Sequence, residues 1–520
     1  MKQLILFTFS ILLMSACTSS SKLNYPATTK ENVVDNYFGT AVPEPYRWLE
    51  NDTSAATEAW VKAQNKVTYQ YLDQINFRPG LKKRLTDLTN YPKYGSPFKK
   101  NGNYYFFKND GLQNQSVLYS LATLDGTPKV LLDPNQLSTD GTVALSQISF
   151  SNDGKYLAYS IARSGSDWNE IYLMDIATGK LLPDVIHWVK FSGIAWKGDG
   201  FYYSAYDAPV AGKEYSNKNE YHKVYYHKVG DTQNKDQLVF ENKDYPLRNC
   251  SAIVSEDEAL LFIAETASTS GNSLQFKDLN NPDAEFVTLE AGFDNDYSVV
   301  DHIDGKIYLL TNWQASNQQL MEIDTKNPGR ENWKTIIPAS KNVLEGVSVL
   351  GGKFVAQYLK DAASHAYAYD LSGKLLYEVK LPTVGTISGF SGDKDDNEAF
   401  YTFSSFTFPP TIYRFNVAAN KAEVFRKADV SFQPEDYVSE QLFYTSKDGT
   451  RVPMFITYKK GMQKTGKNPL LLYGYGGFNI SVNPGFSVAR IPFLENGGIF
   501  LIANIRGGWE NREKRHKSGI

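Results

Sequence analysis

Hydrophobic and polar positions change their spacing twice along the chain. From Thr53, the residues Ala56, Trp60, Ala63, Val67 and Tyr71 recur at intervals of three and four. They follow a Thr-Ser pair able to cap a first turn, so the spacing predicts a helix. A second helix is predicted from Pro79, carried by Leu81, Leu85 and Leu88 and ended by Tyr91-Pro92. Beyond it the period falls to two and a unit recurs: a short apolar strand, a loop, a second apolar strand, then a turn with Asp, Asn or Gly. Residues 150–180 are the clearest copy, and others begin at 101, 196, 254, 302, 350 and 397. Their mean interval of about 49 residues fits one four-stranded blade per repeat. The expectation is a seven-bladed β-propeller over 91–430. A large β-sandwich would leave the recurring unit unexplained.

Around Pro434 the pattern changes again. Residues 438–461 read as a hairpin with Asp448-Gly449 in the turn. Two continuous apolar strands follow, from 469 and from 497. Runs apolar on both faces belong to a buried parallel sheet, which suggests the opening of an α/β domain. The fold class expected is mainly β: a propeller plus the incomplete beginning of an α/β-hydrolase domain.

The first 17 residues, MKQLILFTFSILLMSAC, place one Lys before a short apolar run that closes on small residues and a Cys. The run is too short to span a bilayer as a helix and reads as an export signal. Met14-Ser15-Ala16-Cys17 resembles a bacterial lipobox, with Cys17 as the lipidated residue; an ordinary cleaved signal peptide is the simpler alternative. The polar stretch after it suits a tether. With only two Cys, lipid on Cys17 leaves Cys250 alone, so no disulfide is expected. Aromatic residues at 14% and 38 Gly suit half-buried strands and turns. Lys+Arg 54 against Asp+Glu 57 argues against a nucleic-acid or anionic-membrane partner. No C-x-x-C or H-E-x-x-H occurs and the six His are scattered, so neither metal nor cofactor is expected.

Longer ordered motifs run through nearly the whole chain: PYRWLE at 45–50, NYPKYGSPFKK at 90–100, GLQNQSVLY at 111–119, LDPNQLSTDGTVAL at 132–145, GSDWNEI at 165–171, LPDVI at 182–186, VKFSGIAW at 189–196, YGYGGFNIS at 473–481 and ANIRGG at 503–508. By these the sequence resembles the prolyl oligopeptidase family of serine peptidases. The resemblance implies a propeller over an α/β-hydrolase domain assembled from both ends of the chain. It divides the chain into a signal at 1–17, helices packing with the hydrolase domain at 18–90, the propeller at 91–430, and the first hydrolase strands at 431–520. It also implies acyl transfer from a bond after proline, by a Ser made nucleophilic by His, which an Asp orients.

Such a Ser sits in a G-x-S-x-G elbow, and no such pattern occurs in these 520 residues. The expectation is that nucleophile, base and acid are absent and that the chain by itself is inactive. The resemblance does carry over Tyr475 as an oxyanion-hole donor, Phe478 as a wall of the proline pocket, and Phe191 as the lining of the adjoining subsite. Gly476 and Gly477 would allow close approach of backbone to substrate. Without the resemblance Phe191 reads as a blade-core aromatic, and Tyr475 reads equally as a strand-end packing residue. His187, His222, His227, His302 and His365 are expected at strand ends or surfaces, and His516 has no orienting partner in view. After ANIRGG the family's glycines are replaced, with Trp509 and Arg512 among the substitutes. The expected protein is an exported, lipid-anchored monomer acting on proline-containing oligopeptides, the propeller limiting access by size. The contrasting expectation is a non-enzymatic propeller lipoprotein that binds peptides or a surface partner.

Overall fold

A computed structural model describes residues 23–210, 213–214, 217–477, 480–505 and 508. The chain forms two compact units, Met1–Arg84 and Leu85–Ile520. In the first, a helix spans Ala55–Leu72, and Ser54 caps it by accepting a bond from the Thr57 amide at 3.1 Å. An unforeseen hairpin precedes it, Val34–Tyr37 paired with Thr40–Pro43. Its turn holds Phe38 and Gly39 at φ 52° and 90°, a conformation that costs Gly nothing. The second helix, Arg78–Thr89, starts one residue before Pro79. Its last turn already belongs to the second unit, because Leu88 is buried with Phe432 and Ile491.

Six antiparallel sheets follow between Lys93 and Lys427. The first runs from Lys93 to Leu132 and the second, of eight strands, from Val143 to Glu241. The others cover 249–290, 297–337, 343–379 and 386–427, with four strands each. The eight-stranded sheet consists of two meanders joined by one bridge, Val189 to Ala205.

Wherever one group of strands follows another along the chain, a buried apolar cluster fills the joint. Tyr105 and Leu118 meet Leu157 and Tyr159, and Ile171 and Ile186 meet Phe201 and Tyr203. Val224 meets Ile263, Phe262 meets Leu309, Leu320 meets Phe354, and Val355 meets Tyr401. The joint between the last sheet and the first differs. Among the described residues no such cluster bridges it; Lys99 pairs with Asp396 at 2.9 Å and Lys100 with Asp393 at 3.8 Å. The Tyr104 hydroxyl donates to Glu398 at 2.7 Å, Ser96 bonds Thr402 at 2.8 Å, and Arg426 stacks 3.9 Å from the Tyr94 ring.

The final sheet begins with the expected hairpin, Tyr437–Thr445 against Arg451–Lys459, with Gly449 at φ 81° in the turn. Ile499–Ala503 joins this hairpin, and Leu470–Gly474 lies parallel to it at the edge. The parallel pairing agrees with the apolar runs, and Ile499, Phe500 and Ile502 are buried as expected, but the strand Leu470–Gly474 is not. Leu470, Leu471 and Leu472 point to alternate faces and are 52%, 52% and 61% exposed, so the described residues cover neither face of this edge strand. Phe455, Phe500 and Ile502 of this sheet pack on Phe406 and Ala362 from the loops of the preceding two sheets.

Candidate functional site

Chemistry-bearing side chains gather where the strand Lys180–Val189 ends. Trp188 and Phe191 both adopt left-handed backbone, φ 60° and 51°, which breaks the strand and turns the chain. Phe191 is 57% exposed, so it is not a blade-core aromatic. The Lys190 ammonium lies 5.4 Å from its ring and 5.0 Å from that of Trp168. Trp168 meets Trp188 and Tyr206 edge-on at 5.7 and 6.0 Å, and Tyr206 stacks on the His222 ring at 4.4 Å.

Hydrogen bonds fix the state of His222. Its Nδ1 accepts from the Cys250 amide at 3.0 Å, so Nε2 carries the proton and donates to the Lys190 carbonyl at 2.9 Å. Burial pulls this imidazole down to about 4 and pushes the Cys250 thiol up to about 12. Cys250 is therefore a protonated, buried thiol and an inert one at neutral pH. Together these groups make a rigid, partly exposed aromatic shelf with one cation, fit to hold an apolar side chain. Sequence reasoning found Phe191 alone. Trp168 lies within GSDWNEI, so a motif carried the signal, but nothing local showed that Tyr206, His222 and Cys250 would support it.

Tyr475 follows the edge strand Leu470–Gly474 and is 36% exposed. A Cβ at position 477 would stand 3.2 Å from the Tyr475 hydroxyl, a close approach that the Tyr475 ring could relieve by a small shift. No hydrogen bond or ring contact joins Tyr475 to Phe191. Phe478, Cys17, His516 and the segment 509–515 lie outside the described residues.

Three histidines stand at strand ends, as expected, but are buried there: His222 just before Lys223–Lys228, His227 near its end and His302 near the end of Tyr297–Ile303 are 2%, 0% and 8% exposed. Polar partners make this possible, since an imidazole without them would stay in water. His187 is exposed, as expected, and His365 is half-exposed beside Glu378 at 3.6 Å. Ser255, Asp257 and His302 contain the residue types of a catalytic triad, but in the wrong order of bonding. Ser255 donates to Asp257 at 2.6 Å and the His302 ring bonds the same carboxylate at 2.7 Å, so no imidazole faces the hydroxyl. Among the described residues no Ser or Cys side chain is bonded to an imidazole nitrogen.

The first strands of the first three sheets also line a cavity of 590 Å³. Phe98, Ile148, Phe150, Ile194 and Ile253 give it an apolar wall, and Lys100 and Glu256 are its only charged lining residues. Burial raises the Glu256 carboxyl above its usual value, which lessens the charge facing that space.

Residues 25–428 match the family model described as the prolyl oligopeptidase N-terminal beta-propeller domain. A prolyl endopeptidase of Elizabethkingia meningoseptica is 46% identical over 502 residues, 96% of this chain and 71% of that protein. One from Elizabethkingia miricola is 46% identical over 512 residues, 98% of this chain and 72% of the relative. A solved prolyl endopeptidase superposes with a TM-score of 0.89 at 35% identity, covering 95% of this chain and 73% of the other. Prolyl oligopeptidase B from Galerina marginata, bound to a 25mer macrocyclization substrate, gives 0.89 at 31% identity over 96% and 74% of the two chains. Identity this high over nearly all of the chain, joined to a matching arrangement of sheets, places the protein in the prolyl oligopeptidase family of peptidases.

Proposed function

We propose that this chain supplies the propeller and the first peptidase-domain strands of a serine endopeptidase that cuts short peptides on the carboxyl side of proline. The observation that carries the reading is the exposed aromatic shelf around Phe191; Tyr475, separately, is partly exposed beside Gly477 at the end of the edge strand. Tyr475 would donate to the oxyanion of the tetrahedral intermediate, and Phe478 and Phe191 would hold the residues at and before the cleaved bond. In this reading the two halves of the eight-stranded sheet are separate blades, making seven with the other five sheets, and the sheet over 437–503 would open the hydrolase domain. The propeller limits access: its apolar, nearly uncharged cavity wall suits a narrow unfolded peptide better than a folded protein. Cys17 carries the lipid that anchors the exported monomer.

In this reading residues 18–520 hold the oxyanion donor and pocket walls but not the nucleophile. Purified residues 18–520 neither hydrolyse a Gly-Pro chromogenic substrate nor react with a fluorophosphonate; covalent labelling of a Ser would refute that. The reading frame downstream of codon 520 tests the rest. A G-x-S-x-G elbow followed by Asp and His supports a peptidase, and Tyr475→Phe in that longer protein then lowers kcat by about 10²–10³. A stop codon there, with a stable product that binds peptides, sinks the enzymatic reading.

A further inference from the structure

The side chain of His227 is fully buried between two carboxylates. Its Nδ1 lies 2.7 Å from Asp236 Oδ1 and its Nε2 lies 3.0 Å from Asp184 Oδ1. A carboxylate only accepts hydrogen bonds, and a neutral imidazole has a single N–H. Both contacts are made together only if the cluster holds one proton more than a neutral His and two carboxylates. Bonds to the carboxylate oxygens favour that proton on the imidazole, against the cost of Asp184 Oδ2, which is buried with no hydrogen-bond partner. The second oxygen of Asp236 accepts from the Tyr203 hydroxyl at 2.7 Å, and Asp184 Oδ1 also accepts from the Gly230 amide at 2.6 Å.

These contacts tie together parts that the sheet itself scarcely connects. Asp184 lies in the strand Lys180–Val189, the last of the first meander, while His227 lies in Lys223–Lys228 of the second. The two meanders share the one bridge at Val189 and Ala205. The turn that carries Gly230 and Asp236 is clamped to the first meander a second time. Gln233 accepts from the His187 amide and donates to the His187 carbonyl, both at 3.0 Å. His187 stands four residues before Phe191.

We propose that Asp184, His227 and Asp236 form a proton-held lock, which keeps the turn 229–236 fastened to the strand Lys180–Val189 and releases it when the proton leaves at alkaline pH. The titratable groups facing the imidazole are Asp184 from that strand and Asp236 from the turn. Tyr203, from the strand Gly200–Ala205, reaches it through Asp236, and the Phe201 ring covers it at 5.3 Å. Burial opposes the charge on His227, but the bonds to Asp236 and Asp184 outweigh it and hold the group above its ordinary 6.5. The sign follows: the lock's contribution to stability is full below about 6.5, and the lock itself is lost only as pH rises through the higher folded value. Without the proton one buried carboxylate faces a bare ring nitrogen, and both retreat towards water.

The test is histidine NMR of the full chain with labelled imidazoles, the His227 signal identified by its loss in His227→Gln. The lock requires an imidazolium signal at pH 7.5 that disappears only at higher pH; a neutral His227 at pH 7.5 overturns it. Hydrogen exchange at the Gly230 and His187 amides reads the release. Corrected for intrinsic rates, protection falls at least about tenfold between pH 7 and 10 in the unaltered chain and changes less than about twofold in His227→Gln. Equal pH dependence in both proteins also overturns it. If His227→Gln does not fold, Asp236→Asn serves: removing one carboxylate moves the loss of the imidazolium signal to lower pH, and an unmoved signal counts against the lock.

Discussion

The joint between the fourth and fifth sheets and the joint between the sixth sheet and the first are made of different materials. At the former, Tyr308, Leu310 and Leu320 interlock with Leu344, Phe354 and Ala356, all buried. At the latter the contacts are ion pairs, hydroxyls and a stacked guanidinium. Apolar packing supplies stability in proportion to area but is tolerant of angle, whereas hydrogen bonds demand alignment and contribute little net energy near water. The last joint also brings together residues 294 to 306 apart in sequence, so closing it carries the larger cost in chain entropy. The difference teaches that stability lies in the apolar joints, while the polar joint sets where the last sheet comes to rest.

Substitutions should separate the two kinds of joint. Phe354→Ala, at a fully buried ring, should cost about 3–5 kcal/mol in denaturant unfolding. A loss below about 1 kcal/mol would remove the basis of the comparison. Acid should strike an apolar joint next, at His222, which bonds the amide of the clustered Cys250. The folded group titrates at about 4 against 6.5 unfolded, so the unfolded chain binds the extra proton first as pH falls. Stability should decline from pH 6.5 towards 4, by on the order of 3 kcal/mol, and His222→Gln should flatten that slope. An unchanged slope would show that His222 titrates normally.

At the polar joint Glu398→Gln weakens the bonds to Tyr104 and Arg414 and should cost about 1–2 kcal/mol. Lys99→Ala should cost about 1 kcal/mol or less, since Lys99 and Asp396 are each about a third exposed. That smaller loss should vanish in 1 M salt, where screening acts within a few ångströms. The loss from Phe354→Ala should persist there. Equal salt sensitivity at both joints would erase the distinction.

Local pattern made much of this legible. Ser54 caps the first long helix beside the expected Thr-Ser start, and the hairpin around Asp448-Gly449 forms where the turn residues stand. The repeat at about 49 residues anticipated strand groups that recur through 427. The hairpin at 34–43 escaped notice because its four-residue strands carry no clear alternation. The histidines escaped for another reason. His227 is buried by Asp184, 43 residues away, and by Asp236, and no spacing rule links the three. Phe191 was found through a motif, while its supports Trp168, Tyr206 and His222 come from separate strands and loops.

The sequence by itself determined the period of the strands, the caps and turns, the family, and the residue types offered at Tyr475 and Phe191. Those depend on neighbours within a few positions, or on motifs read in order. Only the tertiary structure decided which joint is polar, that Leu470–Leu472 lie open at a sheet edge, and that His227 is enclosed by two carboxylates. Each depends on which distant groups share a space from which water is excluded, and exclusion of water is settled only when the sheets have packed.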